Sequence, residues 1–189
     1  MRLPATAVIF CGGRSTRMGR DKALLDWKGK PLALHVAERI APMFERAVIS
    51  GSPGLYRGLG LRCVPDLGGS GPLAGLFATL LDAQTPAIFA IACDMPFADP
   101  SAVLELWKRL KGFDAAIPIS PSGPEPLHAF YSKRVLPAVG RALEGKARMT
   151  GWWGECRVAR VNAAGLPGGE RGMADCDTPA EWNTIRRVQ

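Results

Sequence analysis

Histidine is scarce in this chain. His35 and His128 are the two it has, and they fall in unrelated segments. No Ser-His-Asp pattern accompanies them, so chemistry built on a tuned protein nucleophile is excluded. Cysteine is present but unorganised: Cys11, Cys63, Cys93, Cys156 and Cys176 are scattered and odd in number, with no C-x-x-C pair. That excludes the usual zinc spacings and a disulfide framework, and it reads as reduced thiols in a cytoplasm. No apolar window approaches a membrane span, and Met1-Arg2 runs into a strand-like segment without the apolar stretch of a signal peptide. A cytoplasmic protein with no membrane partner is expected. Aromatic residues are few and are not interleaved with basic ones, as stacking on nucleic-acid bases requires, so no nucleic-acid partner is expected.

Repeats, low-complexity tracts and linkers are absent as well. The 189 residues, 47% hydrophobic and 22% charged, suit one domain spanning 1–189 with a substantial core. The net charge of +7 points to an anionic partner without choosing among nucleotide, nucleic acid and lipid headgroup.

Short runs rich in Val, Ile and Ala alternate with stretches of helical period. "TAVIF", "RAVIS", "LRCV", "AIFAIA", "DAAIPI" and "LHAFY" read as strands. The unbroken apolar run 87–92 is the pattern of a parallel strand covered on both faces. Helices are predicted from Pro31 to about Ile40, over "GPLAGLFATLLDA", and over "DPSAVLELWKRLKG" with Asp99 as cap, Pro100 at the first position and Gly112 past the end. Two more are predicted, over "RVLPAVGRALEG" despite an internal Pro137, and over "DTPAEWNTIRRV". The breaker-rich "SPSGPEP" is expected to be a mobile loop. This alternation implies an α/β fold, Rossmann-like, with a mostly parallel sheet and helices on both faces.

The exit of the first strand reads "CGGRSTRMGRDK" and packs four cationic side chains around glycines. Ligands of open α/β sheets gather beyond the carboxyl ends of strands. Gly12 and Gly13 let backbone N–H groups approach a ligand closely, and Arg14, Arg17 and Lys22 are placed to neutralise phosphate oxygens. Neither the Walker A loop nor the G-x-G-x-x-G spacing is present. Asp21 either holds the loop by bonding to its backbone or pairs with one of the arginines.

A second constellation, "CDMP", sets Asp94 at the exit of the apolar strand 87–92. A lone carboxylate there suits Mg²⁺, which takes one or two carboxylates together with phosphate oxygens and water. A third stretch, "PDLGGSGPLAG", offers Asp66 and the backbone of Gly68–Gly71 to a nucleotide, or is simply a turn. Transfer of a nucleotidyl group to a phosphate fits this inventory, because an anionic attacking oxygen needs no general base.

With these residues in view, the chain resembles the molybdenum cofactor guanylyltransferases, the MobA-like nucleotidyltransferases. "FCGGRSTRMGRDKALLDWKGKPL", "PDLGGSGPLAG", "CDMPF", "PEPLHAFY" and "DTPAEW" fall in that family's order over nearly the whole sequence. The resemblance implies Mg²⁺-dependent transfer of GMP from GTP onto the terminal phosphate of molybdopterin, releasing pyrophosphate. It assigns the backbone of Phe10, Cys11, Gly12 and Gly13 to the nucleotide's border, and Lys22, with Arg17, to its phosphates. Ser50 and Asp66 fall to the nucleoside pocket and Asp94 to the metal. The first part of the domain would hold the nucleotide and the last part molybdopterin, in a monomer that makes transient contact with other cofactor-biosynthesis or acceptor proteins.

Three departures are visible. Phe10-Cys11 replaces Leu-Ala, Ser50 stands where some members carry Asn, and "DCDTP" replaces an Asn-x-Asn-Thr-Pro stretch, bringing Asp175 and Asp177. The last is reminiscent of cytidylyl relatives, so a CTP-dependent enzyme is the alternative. A non-catalytic nucleotide-binding regulator is the other, against which the intact Lys22 and Asp94 argue. In "GKARMTGWW", Trp152 and Trp153 are either core residues or, with Lys146, Arg148 and Arg134 or Arg141, part of a surface holding the acceptor.

Overall fold

The computed structural model describes residues 2–12, 20–67, 69, 71–146, 148–176 and 178–187, with the side chain of Arg187 excepted. Gly13, Arg14, Arg17, Gly68 and Asp177 therefore lie outside the described residues.

Apolar β-branched runs supply the centre of the sheet. Strand β1 (Leu3–Phe10) pairs in parallel with β4 (Phe44–Ser50) on one side and with β6 (Ala87–Ala92) on the other. β5 (Arg62–Val64) continues in parallel beyond β4. On the far side of β6, β9 (His128–Ser132) runs antiparallel and leads to β7 (Ala115–Ser120), whose outer neighbour is the parallel strand β10 (Val158–Asn162). The order is β10-β7-β9-β6-β1-β4-β5, with the two-residue β8 (Gly123–Pro124) paired to β7. All six residues of β6 are buried, as its lack of alternation requires for a strand covered on both faces.

Helices cover both faces. On one side α1 (Leu32–Ile40) and α4 (Pro100–Arg109) press Val36, Ile40, Val103 and Leu106 onto Ile9, Ile49, Phe89 and Ile91. On the other, α3 (Pro72–Asp82) and α5 (Leu136–Glu144) press Leu76, Leu80 and Val139 onto Val8, Val48, Ile88 and Ile117. The expected mixed α/β architecture with a mostly parallel sheet is thus present. A small satellite cluster joins Trp182 of the C-terminal helix α6 (Pro179–Arg187) to Trp27, Leu32 and Cys176. Trp27 belongs to a two-stranded ribbon of β2 (Asp26–Trp27) and β3 (Lys30–Pro31). The remaining helix, α2 (Pro53–Tyr56), is a single turn after β4.

Three expectations need correction. Pro31 is not in the first turn of α1; its extended backbone closes the β2–β3 ribbon and the helix begins one residue later. Pro137 is not internal to α5: the helix starts at Leu136, so the proline occupies a first-turn position where its missing N–H costs nothing. "SPSGPEP" forms a tight β7–β8 hairpin, in which the Ser120 hydroxyl meets Ser122, the Gly123 carbonyl and Glu125. Breaker-rich sequence here encodes a turn held by side-chain hydrogen bonds. At α4 the predicted cap is in place, with Asp99 Oδ1 accepting from Ser101 N at 2.7 Å.

Because β1, β4, β5 and β6 run in one direction, their carboxyl ends share one rim of the sheet. Every glycine-rich or acidic exit noted in the sequence leaves from that rim.

Candidate active site

The centre of the rim is an ion pair. Cys93 N donates to Phe10 O at 3.1 Å, which holds the exit of β6 against β1 and places Asp94 next. Asp94 is 7% exposed. Lys22 reaches it from a separate loop, Nζ to Oδ2 at 2.7 Å. Lys22 opens a short 3-10 turn, Lys22–Leu24, capped by Asp21, whose Oδ1 accepts from Ala23 N at 3.0 Å. The other oxygen of Asp21 accepts from the buried Tyr56 hydroxyl at 2.7 Å. Of the two readings of Asp21, backbone bonding is the one observed. Burial, and then the Asp21 carboxylate, push the Tyr56 phenol well above its ordinary value, so it stays a donor.

A second wall stands beside this pair. Ser50 ends β4 and is buried, and Asp66 follows β5. Both meet α3 at Gly75, where a Cβ would lie 2.5 Å from Ser50 Oγ, 3.0 Å from the Phe10 ring and 3.2 Å from Asp66 Oδ1. Only glycine permits that approach of helix to sheet. Asp66 is exposed as a whole residue, yet loss of water around its carboxyl pushes the carboxyl up from its usual range. Gly71 precedes α3 without a capping side chain, so first-turn N–H groups of that helix have no side-chain acceptor from the cap.

Cys11 N donates to Ser50 O at 2.8 Å, tying the start of the glycine loop to β4. Next to it Gly51 adopts φ +152°, and a Cβ there would lie 2.3 Å from Cys11 O and 2.7 Å from the Tyr56 ring. Phe10, Cys11, Gly12, Lys22, Ser50, Asp66 and Asp94 thus belong to one rim, as the sequence suggested. Gly13 and Arg17 lie outside the described residues.

His35 is a packing histidine: its Nε2 lies 3.0 Å from Pro96 O and its ring 5.5 Å from Trp27, and burial lowers its pKa. His128 is fully buried at the start of β9, edge-on to Phe89, with neither ring nitrogen hydrogen-bonded among the described residues.

Trp152 is a core residue packed 5.9 Å from Tyr131, which decides that alternative in favour of packing. Trp153 is half-buried with the Arg160 guanidinium 6.0 Å over its ring. Lys146 and Arg148 are exposed just past α5, whose Leu143 lies beside Gly69 of the loop after β5. They therefore flank the rim. Arg134 does not. It donates to Asp114 Oδ1 and Phe113 O, next to Lys133, whose N bonds Pro86 O before β6 begins. That is the opposite end of a six-residue strand, roughly 20 Å from Asp94. Arg141 is paired with Glu155.

Among the described residues no three metal-ligating side chains gather. A hard divalent cation that brings phosphate and water ligands needs one carboxylate, and buried Asp94 beside the loop supplies it. The residues present fit Mg²⁺ in that role.

The profile of the MobA-like NTP transferase domain matches residues 7–158. The chain belongs to the MobA-like NTP transferase family. Like others of this family it is a nucleotidyltransferase. It is 37% identical over 180 residues to the probable molybdenum cofactor guanylyltransferase of Pelotomaculum thermopropionicum, covering 93% of this chain and 85% of that one. It is 36% identical to the molybdenum cofactor guanylyltransferase of Pseudomonas putida (strain F1) over 147 residues, 75% of this chain and 77% of that one. The fold matches that of molybdopterin-guanine dinucleotide biosynthesis protein A from Archaeoglobus fulgidus with a TM-score of 0.85, at 24% identity and 97% coverage of both chains. It also matches 2-C-methyl-D-erythritol 4-phosphate cytidylyltransferase from Thermus thermophilus with a TM-score of 0.72 at 15% identity, covering 100% of this chain and 98% of that one. These likenesses concern architecture alone.

Sequence reasoning missed several residues of this candidate site. Tyr56 carries no motif signal. Gly75 had one: a glycine inside a helix costs about 1 kcal/mol against alanine, which asks for a packing reason. Cys176 Sγ lies 3.8 Å from Asp94 O, so the "DCDTP" stretch is brought to the metal-binding candidate across 82 residues of sequence. Asp175 is exposed beside it, and Asp177 lies outside the described residues.

Proposed function

We propose that the protein transfers GMP from Mg²⁺-bound GTP to the terminal phosphate of molybdopterin, forming the guanine dinucleotide cofactor and pyrophosphate. The observation that carries this reading is the Lys22–Asp94 pair at a rim shared with Ser50, Asp66 and Gly75, in a chain 37% identical to a probable guanylyltransferase. An acceptor phosphate oxygen attacks the α-phosphorus of GTP, and the bond to the pyrophosphate oxygen breaks. The attacking oxygen is already anionic, so no side chain has to remove a proton.

Asp94 would hold the metal, and Lys22, 2.7 Å from it, would serve the phosphates. Bound Mg²⁺ supplies charge neutralisation on the phosphate oxygens. Asp66 faces the base: its two oxygens can accept the parallel N1–H and N2–H donors of guanine, whereas cytosine presents one donor group, N4–H₂. Lys146 and Arg148 receive the acceptor's phosphate on the other flank of the rim.

The second reading, CTP as donor, rests on the sequence "DCDTP", whose Cys176 Sγ lies 3.8 Å from Asp94 O. One experiment separates them. Purified protein is incubated with molybdopterin, Mg²⁺ and each nucleoside triphosphate in turn, and pyrophosphate is measured. Release with GTP is expected. Release with CTP alone overturns the guanylyl assignment, and release with none favours a nucleotide-binding regulator.

A further inference from the structure

We propose that Tyr56 is a positioning residue for Lys22, acting through Asp21. The inference rests on the functional reading above, in which Lys22 serves the nucleotide's phosphates.

Lysine is a poor choice for a fixed charge unless something else aims it. Its ammonium rides on four rotatable carbons, and holding it costs side-chain entropy. Here the backbone beneath it is clamped on both sides. Asp21, directly before Lys22, spends one carboxylate oxygen on Ala23 N, directly after it, at 3.0 Å. That bond fixes the 3-10 turn on which Lys22 stands. The remaining oxygen is held by the Tyr56 hydroxyl at 2.7 Å, from a helical turn 35 residues away. Tyr56 itself cannot drift. It is 2% exposed, and its ring lies so close under Gly51 that a single added methyl would meet it at 2.7 Å.

The chain of contacts therefore runs from the β4 exit through Tyr56 and Asp21 to the turn carrying Lys22, and ends at Asp94, 2.7 Å from Nζ. A tyrosine present merely to fill space would serve equally well as phenylalanine. The hydroxyl is explained by what it does to Asp21: a carboxylate held at both oxygens has one orientation, and the turn it caps has one direction. Burial and Asp21 push the phenol's pKa up, so the hydroxyl remains a donor to Asp21.

The test is Tyr56→Phe, which keeps the ring and removes the hydroxyl. Two readouts are taken with the far-UV circular dichroism of both proteins in hand. In the nucleotide-free protein, the ¹H–¹⁵N signal of the Lys22 ammonium should be observable in the wild type and exchange with water about tenfold faster in the variant. With the fluorescent analogue mant-GTP and Mg²⁺, affinity should fall about tenfold in the wild-type background and not at all in a Lys22→Ala background. An unchanged Lys22 signal, or equal losses of mant-GTP affinity in both backgrounds, overturns the proposal. A wild type that binds no mant-GTP, with the Lys22 signal still altered by Tyr56→Phe, sinks the guanylyl reading and leaves the positioning role standing.

Discussion

Two carboxylates at opposite ends of the sheet make a useful pair. Asp114, at the entrance to β7, is met by Arg134 Nε at 2.7 Å, by Arg157 N at 3.0 Å and by the Arg157 side chain at 3.8 Å. Partial burial works against it, but the Arg134 and Arg157 donors win and hold its pKa below the usual range. Both arginines are more than 60% exposed. Asp94, at the exit of β6, meets one point charge among the described residues, Lys22, with both side chains largely buried. The first arrangement staples β7, β9 and β10 together with forked, solvent-facing cations. The second sets a flexible cation beside a loop, where a multivalent ligand can take its place. The first is the geometry of a structural carboxylate, and the second, a point charge in a drier setting, suits the role proposed for Asp94.

The sharpest way to break this contrast is Asp94→Ala. Pyrophosphate release should fall by at least about a thousandfold, the size of one metal-bridged phosphate interaction. Thermal stability should fall too, because Lys22 loses its buried carboxylate. Near-normal Mg²⁺-dependent turnover would remove Asp94 from the metal role.

Next in size is the difference between two cations of one loop. Lys22→Ala should lower kcat/KM about a hundredfold, whereas the exposed Arg20→Ala should stay within about threefold, since salt screens its charge. Steady-state kinetics of the two variants compare them directly, and equal losses would mean that the loop works by bulk charge.

His128 adds a third case to the two carboxylates, a buried titratable group without a hydrogen-bond partner among the described residues. Burial holds its pKa down to about 4 against 6.5 in the unfolded chain, with only the charge of Asp99 opposing. The folded protein thus binds fewer protons than the unfolded one between those values. Stability is full above about pH 6.5, declines as pH falls through the window and levels off below about pH 4, a loss of about 3 kcal/mol. Urea titrations at pH 7 and pH 4.5 should show this decline in the wild type and a smaller one in His128→Leu.

Smaller effects follow at the two flanks. Lys146→Ala with Arg148→Ala should weaken molybdopterin binding about tenfold and leave mant-GTP binding unchanged. Equal loss of both affinities would count against an acceptor role. Arg134→Ala, at the far end, should leave kinetics untouched and lower stability by less than about 1 kcal/mol, the range of an exposed pair. A kinetic defect there would erase the distinction between the two ends.

Much of this molecule is written in local chemistry. The apolar run 87–92, the cap-and-proline start of α4 at Asp99-Pro100 and the cation-dense exit of β1 each announce themselves within about a dozen residues. That is the range over which periodicity, capping and turn preference act, so β1, β4, β5, β6, β7 and β9, the five longer helices and the candidate residues Lys22, Asp66 and Asp94 were legible in advance, while β10 and the short β2, β3, β8 and α2 were not. Tertiary structure alone decided the rest. It set β9 antiparallel between β6 and β7, carried Arg134 away from the rim, and brought Cys176 to Asp94 and Tyr56 to Asp21. Those contacts join residues 20 to 82 positions apart. No local preference encodes such a pairing, because it exists only once sheet order and helix packing have fixed which loops share an end. Gly75 shows both levels at once: its helix was readable, while the need for a missing side chain arose only when Ser50, Phe10 and Asp66 converged on it.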